Sequence, residues 1–258
     1  MAILEVDNLG ISFGGVRAVD GVSFCVEPGE IFSIIGPNGA GKTSLFNLVS
    51  RLYDPTDGRV VFEGRDITRI APHEVPRLGI ARTFQNLRLF ERSSVLDNLM
   101  LGRYRHSRMN FLQQALFTPA MRAERRDDRR LSEDVIRLLE LERFRDSAVH
   151  GLPYGVKKMI ELGRALALGP KLLLLDEPSS GLNPEETRDL SYRIHDIRND
   201  LGVTVVLIEH DMDLVGAVSD RVLAVGMGRV MALGDPDEVR SHPDVLAAYL
   251  GAPADAAA

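Results

Sequence analysis

The chain of 258 residues has one cysteine, Cys25, and that scarcity excludes two architectures at once. A lone thiol can neither close an intrachain disulfide nor anchor a metal–thiolate cluster, and it suits a reducing compartment. Its place in the alternating run Val22, Phe24, Val26 predicts a small side chain buried in a core. Apolar runs are short as well: none reaches the roughly 18 residues that a membrane-crossing helix needs. The first residues, Met1-Ala2-Ile3-Leu4-Glu5-Val6-Asp7, have neither a basic start nor an apolar block long enough for export, so the chain is expected to act inside the cell. Basic residues are also in deficit. The net charge is −6, phosphate neutralisation on a nucleic acid requires clustered Lys and Arg, and no nucleic-acid partner is expected. No repeat of fixed period is present, which sets solenoids and propellers aside.

What is there reads as strands alternating with helices. Residues 3–9, 18–26 and 31–35 are β-rich runs bounded by Gly, Pro or Asn, and the third is apolar on both faces. A run without polar alternation suits a strand covered above and below in a parallel sheet, and residues 171–175 and 203–208 repeat the pattern. Helical stretches at 42–51, 156–168 and 184–199 lie between them, the signature of an α/β sheet with right-handed crossovers. Residues 221–225 and 229–233 flank Gly226-Met227-Gly228 and read as a hairpin, while the Ala-rich tail is expected to fray. The middle differs: residues 101–146 hold 11 Arg against 8 acidic side chains, a local excess of basic charge in an acidic chain. There Thr118-Pro119 reads as an N-cap with a first-turn proline, and Leu131, Val135, Leu138 and Leu139 are expected on one helical face.

The strongest chemical signal follows the third strand. Gly36-Pro37-Asn38-Gly39-Ala40-Gly41-Lys42-Thr43, with Ser44 after it, matches G-x-x-x-x-G-K-[ST] between a buried strand and a helix. Glycines let successive N–H groups turn inward onto phosphate oxygens, and the helix start adds the positive end of its dipole. Lys42 supplies a full charge, and the Thr43 hydroxyl can ligate Mg²⁺. A second signal is Leu172-Leu173-Leu174-Leu175-Asp176-Glu177, a buried strand delivering two carboxylates at its C-terminal end. Asp176 is placed to hold Mg²⁺ through its waters, and Glu177 to take a proton from water attacking the terminal phosphate. Gln85, in Thr83-Phe84-Gln85-Asn86, and His210, in Leu207-Ile208-Glu209-His210-Asp211, fall where the same sheet edge could reach metal, water or γ-phosphate. Taken together these residues describe a nucleoside triphosphatase.

The order P-loop, Gln85, Leu152-Pro153-Tyr154-Gly155-Val156, Leu175-Asp176-Glu177-Pro178, Ser180-Gly181-Leu182-Asn183, His210 resembles the ATP-binding subunits of ABC transporters along nearly the whole chain. Phe13-Gly14-Gly15, Asn86-Leu87-Arg88-Leu89-Phe90, the Arg-rich insertion, Gly181-Leu182-Asn183-Pro184 and Tyr249-Leu250-Gly251 are similar, more narrowly, to the ATPases of branched-chain amino-acid importers. The resemblance implies an α/β P-loop NTPase (RecA-like) core with an N-terminal antiparallel β portion and an inserted helical subdomain. Its parts would be residues 1–84 and 160–258 for the core and 85–159 for the insertion. It implies ATP and Mg²⁺ as cofactors and Gln85 as a metal contact that links nucleotide state to partner contact. It also implies an ATPase dimer, homo- or heterodimeric, in which the P-loop of one chain faces the signature 152–156 of the other. Two membrane permease subunits docking near residues 85–101, an indirect solute-binding protein, and a peripheral position on the inner face of the cell membrane complete the expectation.

Departures and alternatives stand beside it. Against the usual L-S-G-G-Q, only Leu152 and Gly155 match, and Pro153 offers a phosphate neither hydroxyl nor N–H, so contacts there should rest on backbone and helix dipole. Asn183 replaces the family's more general Asp, where Asn183-Pro184-Glu185-Glu186 reads as a helix cap. Phe13 is either an adenine-stacking aromatic, as the family implies, or a core residue before a turn. The Arg-rich helix is either a solvated face or a contact for anionic lipid headgroups. Lipopolysaccharide export, urea or amide import, or a soluble ABC-type ATPase of repair or cofactor assembly would share most of these motifs.

Overall fold

Strand β3 (Ile31–Ile35) is buried at all five positions, and so are β7 (Leu172–Asp176) and β8 (Thr204–Ile208). Such runs are stable only with both faces covered, and the computed structural model, which describes residues 1–83, 87–103 and 119–250, shows how that is done. With β6 (Ile80–Arg82), β9 (Arg221–Gly226) and β10 (Arg229–Gly234) they form a six-stranded sheet in the order β10-β9-β3-β8-β7-β6. All its pairs are parallel except β9 with β10. The hairpin expected there turns on Met227 and Gly228, whose φ values of 47° and 79° are those of a tight two-residue turn.

A second, antiparallel sheet of β1 (Leu4–Phe13), β2 (Val16–Val26), β4 (Asp57–Phe62) and β5 (Arg65–Asp66) runs in the order β2-β1-β4-β5. Its inner face packs with Phe32, Ile34, Leu174, Val206 and Ile208 around helix α1 (Lys42–Val49). The alternate positions, among them Ile31, Leu173, Leu175, Val205 and Leu207, face a helical layer on the other side. That layer comprises α2 (Val95–Arg103), α3 (Pro119–Leu138), α4 (Tyr154–Leu166) and α5 (Pro184–Leu201), while α6 (Met212–Val218), α7 (Pro236–Ser241) and α8 (Pro243–Leu250) finish the chain. The period-two alternation of the strands therefore decides which side chains meet which layer.

Several expectations need correcting. Cys25 is exposed: in β2 Val22, Phe24 and Val26 are buried, as is Val19, and a period of two turns Cys25 outward between Phe24 and Val26. On α3 Leu131 is 44% exposed, and Ser132, Val135 and Ile136, with Leu139 just past the helix end, are buried, a face at the 3.6-residue spacing one step round from Leu131. Thr118 lies outside the described residues. Helix α1 stops at Val49 because Arg51 takes a left-handed φ of 60° and the N–H groups of Leu52 and Tyr53 turn back onto the Asn47 carbonyl. Helix α4 begins two residues before the expected start.

Candidate active site

Three parallel strand ends bring the chemistry together. Because β8 lies between β3 and β7, at about 4.8 Å spacing, the residues that follow each strand emerge at one edge of the sheet. From β3 the chain enters the P-loop. A Cβ on Gly36 would lie 2.2 Å from the Val225 carbonyl oxygen, and one on Gly41, at φ 99°, would lie 2.3 Å from that of Ala18, so neither position admits a side chain. The turn is also held from outside: the Gly228 N–H donates to the Ala40 carbonyl at 2.9 Å, and the Gly36 N–H donates to the Tyr249 hydroxyl at 2.9 Å.

Lys42 opens α1 and is buried. Its ammonium donates to the carbonyls of Gly36 at 2.5 Å and Pro37 at 3.0 Å. Burial lowers its pKa, and the nearby carboxylates of Glu177 and Asp176 oppose that shift. A buried ammonium satisfied only by backbone carbonyls can exchange those contacts for phosphate oxygens. Ala40 is buried, Pro37 and Ser44 are half-buried, and Asn38, Gly39 and Thr43 are exposed at the mouth of the loop.

Asp176 ends β7 and is buried beside Arg82 of β6, whose guanidinium donates to it at 2.7 Å and also to Asn47 and Ser50 of the P-loop helix side, at 2.8 Å each. No sequence signal marked Arg82, because its partner lies 94 positions away. Glu177, half-buried, has a left-handed φ of 47° and donates its N–H to Ile208 at 3.0 Å, which turns the chain sharply off the strand at this carboxylate. From β8, His210 follows with its imidazole 57% exposed. The Thr43 hydroxyl and the Asp176 carboxylate are hard oxygen donors of the type Mg²⁺ takes. Among the described residues no group of three or more His, Cys, Asp or Glu could hold a metal. Gln85 lies outside the described residues.

Residues 152–156, the expected signature, run into the start of α4. Pro153 is its N-cap residue, with no side-chain bond to the helix; Tyr154 is exposed, Gly155 is buried, and Leu152 and Val156 pack against the helical core. A Cβ on Gly155 would lie 2.3 Å from Glu186 Oε1. Glu186 is anchored there by a capping box: the Asn183 side chain accepts from the N–H groups of Glu185 and Glu186, and Glu186 accepts from the Asn183 N–H. The capping reading of Asn183 is thus what the structure has. Phe13 is 45% exposed and meets Tyr53 edge-on at 5.3 Å, so it is not a core residue. Between the P-loop side and the helical layer opens a cavity of about 800 Å³, with Leu52, Arg82, Phe90, Leu101 and Arg164 in its lining.

A phosphate cradle and a carboxylate pair on alternate strand ends of one sheet, with an antiparallel sheet and a helical layer attached, define a P-loop nucleoside triphosphatase of the cassette type. The family model described as ABC transporter matches residues 19–180, and the chain belongs to that family of ATP-hydrolysing subunits. A second model, described as branched-chain amino acid ATP-binding cassette transporter, matches residues 229–255. The chain is 41% identical to the high-affinity branched-chain amino acid transport ATP-binding protein BraF of Pseudomonas aeruginosa, over 96% of this chain and 98% of that protein. It is 36% identical to the corresponding protein LivG of Escherichia coli over the same shares. Among solved structures, a nucleotide-free ATP-binding cassette from an ABC transporter superposes with a TM-score of 0.84 at 32% identity, covering 97% of this chain and all of that one. The ADP conformation of an ATP-binding cassette gives the same TM-score at 31% identity, covering 97% of this chain and 99% of that one.

Proposed function

We propose that this ATPase powers uptake of branched-chain amino acids, or similar small solutes, through separate membrane subunits. The observation that carries the ATP-hydrolysing half of this reading is the convergence of Lys42, Asp176, Glu177 and His210 on adjacent ends of one parallel sheet. The importer half is supported by the names of the relatives and by the C-terminal family model.

In this reading Lys42 and the backbone of residues 39–43 neutralise the phosphates of ATP, with Gly36, Pro37, Asn38 and Ser44 shaping the cradle and Phe13 stacking on the base. Thr43, Asp176 and Gln85 would hold Mg²⁺, which when bound supplies charge neutralisation to the triphosphate. Glu177 takes the proton of the attacking water, and His210 holds the γ-phosphate. Residues 152–156 of a second ATPase subunit, identical or related, close each site. The membrane subunits would dock near residues 85–101, where Phe90 and Leu101 line the cleft with Leu52, and the chain would work at the inner face of the membrane, with a solute-binding protein reached only through them. No helix among the described residues is long and apolar enough to cross a membrane.

The purified chain should hydrolyse ATP only with Mg²⁺ present. Glu177→Gln should cut turnover by about a hundredfold or more, retain ATP affinity and accumulate a dimer in gel filtration with ATP. Turnover at the wild-type rate would remove Glu177 as the principal base. Uptake of labelled leucine by vesicles carrying the co-purified membrane subunits tests the cargo, and uptake that stays unchanged without this ATPase would overturn it.

A further inference from the structure

Glu209 precedes His210, and nothing above gives it a task. It is fully buried, and its carboxylate accepts three backbone hydrogen bonds from two loops. Ser179 N–H reaches Oε1 at 2.8 Å, while the N–H groups of His210 and Asp211 reach Oε2 at 3.0 and 3.4 Å. The same carboxylate therefore ties the loop that follows Glu177 to the loop that carries the γ-phosphate histidine. A buried carboxylate is costly, and these three backbone donors offset that cost. Lys158, one turn into α4, is buried too; burial lowers its pKa, and the charges of Glu161 and Glu209 oppose that. Lys158 in turn donates to the Glu177 carbonyl at 3.3 Å and lies 5.9 Å from the Tyr154 ring. Tyr154, in the signature, donates its hydroxyl to the Ser180 carbonyl at 3.4 Å and covers Gly181.

The loop 177–181 is thus gripped from both sides, by Glu209 on the His210 side and by Lys158 and Tyr154 on the signature side. We propose that Glu209 and Lys158 are positioning residues that join the two ends of this chain's chemistry, so that His210 engaging γ-phosphate in one nucleotide site sets the signature helix that completes the other. The inference rests on the dimeric ATPase reading above. It explains why a carboxylate stands at position 209: a Gln amide has one oxygen, and its NH₂ would face an N–H donor on one loop or the other.

The test is Glu209→Gln in the full chain. Turnover should fall about tenfold and the Hill coefficient for ATP should drop to about one. ADP affinity of the isolated subunit, measured by calorimetry, should stay within about twofold, because the P-loop is untouched. A residue with only a structural role would lower thermal stability without separating turnover from affinity. If Glu209→Gln does not fold, Lys158→Met, which keeps the volume and removes the charge, should give the same separation. Wild-type turnover and cooperativity in a folded variant would overturn the coupling. Absence of hydrolysis by the wild-type chain would instead overturn the functional reading, and this inference with it.

Discussion

Two lysines, Lys42 and Lys158, are buried near the starts of two helices, α1 and α4, and the same two carboxylates, Asp176 and Glu177, oppose the lowering of both pKa values that burial causes. Their surroundings differ. Lys42 follows a turn whose backbone conformation only glycine adopts at Gly36 and Gly41, and its ammonium rests on carbonyls of that turn. Lys158 lies beyond a helix start capped by proline, and its ammonium reaches across to another loop. In the proposed reading the first helix start offers charge, donors and dipole to a triphosphate, and the second offers backbone and dipole alone. On that proposal one helix start grips a ligand within its own chain, and the other, its cation committed inward, acts when a second subunit presents its phosphate.

The comparison is broken most severely at Lys42. Lys42→Ala should lower kcat/KM for ATP by about a thousandfold, since it removes a full charge from a water-poor phosphate site; steady-state hydrolysis with calorimetry of ATP binding reads this. A smaller loss would mean that the loop backbone grips the triphosphate unaided. Next comes the signature end. Pro153→Ser supplies the hydroxyl and N–H donors that Pro153 cannot offer a phosphate, and the ATP concentration that drives dimer formation should fall by about fivefold. An unchanged ATP dependence in light scattering would count against a phosphate-facing role for this helix start.

Tyr249→Phe sharpens the P-loop side, removing the one hydroxyl that accepts from Gly36 while keeping the ring. ATP affinity should weaken by about threefold, the effect of one neutral hydrogen bond, with turnover at saturation unchanged; equal affinities would make the contact incidental. Asn183→Ala reads on stability, not on nucleotide binding. Loss of the capping box should cost about 1 kcal/mol and release Glu186 from its seat against Gly155. A thermal midpoint identical to wild type would show that the cap contributes nothing.

Much of this site was readable along the chain because it obeys local rules. The P-loop is one continuous stretch whose glycines, lysine and threonine must sit at fixed offsets, and the four leucines before Asp176 announce a covered strand. Asn183 was readable as a cap because a cap is formed within four residues. Leu131 and Cys25 were misplaced because a hydrophobic or small residue next to a buried face differs from one on it by a single step of the period. Arg82, Glu209 and Lys158 carried no signal: each is defined by a partner from another element, and none belongs to a local pattern.

The amino-acid sequence by itself determined the phosphate cradle, the carboxylate pair and the alternation that makes an α/β sheet, since backbone geometry and side-chain periodicity act over a few residues. Only the tertiary structure decided that β8 inserts between β3 and β7, that Tyr249 returns to Gly36 across 213 positions, and that one buried carboxylate joins two loops. Those choices are made by which faces bury together and which polar groups must then be satisfied, and such pairings exist only once the layers have packed.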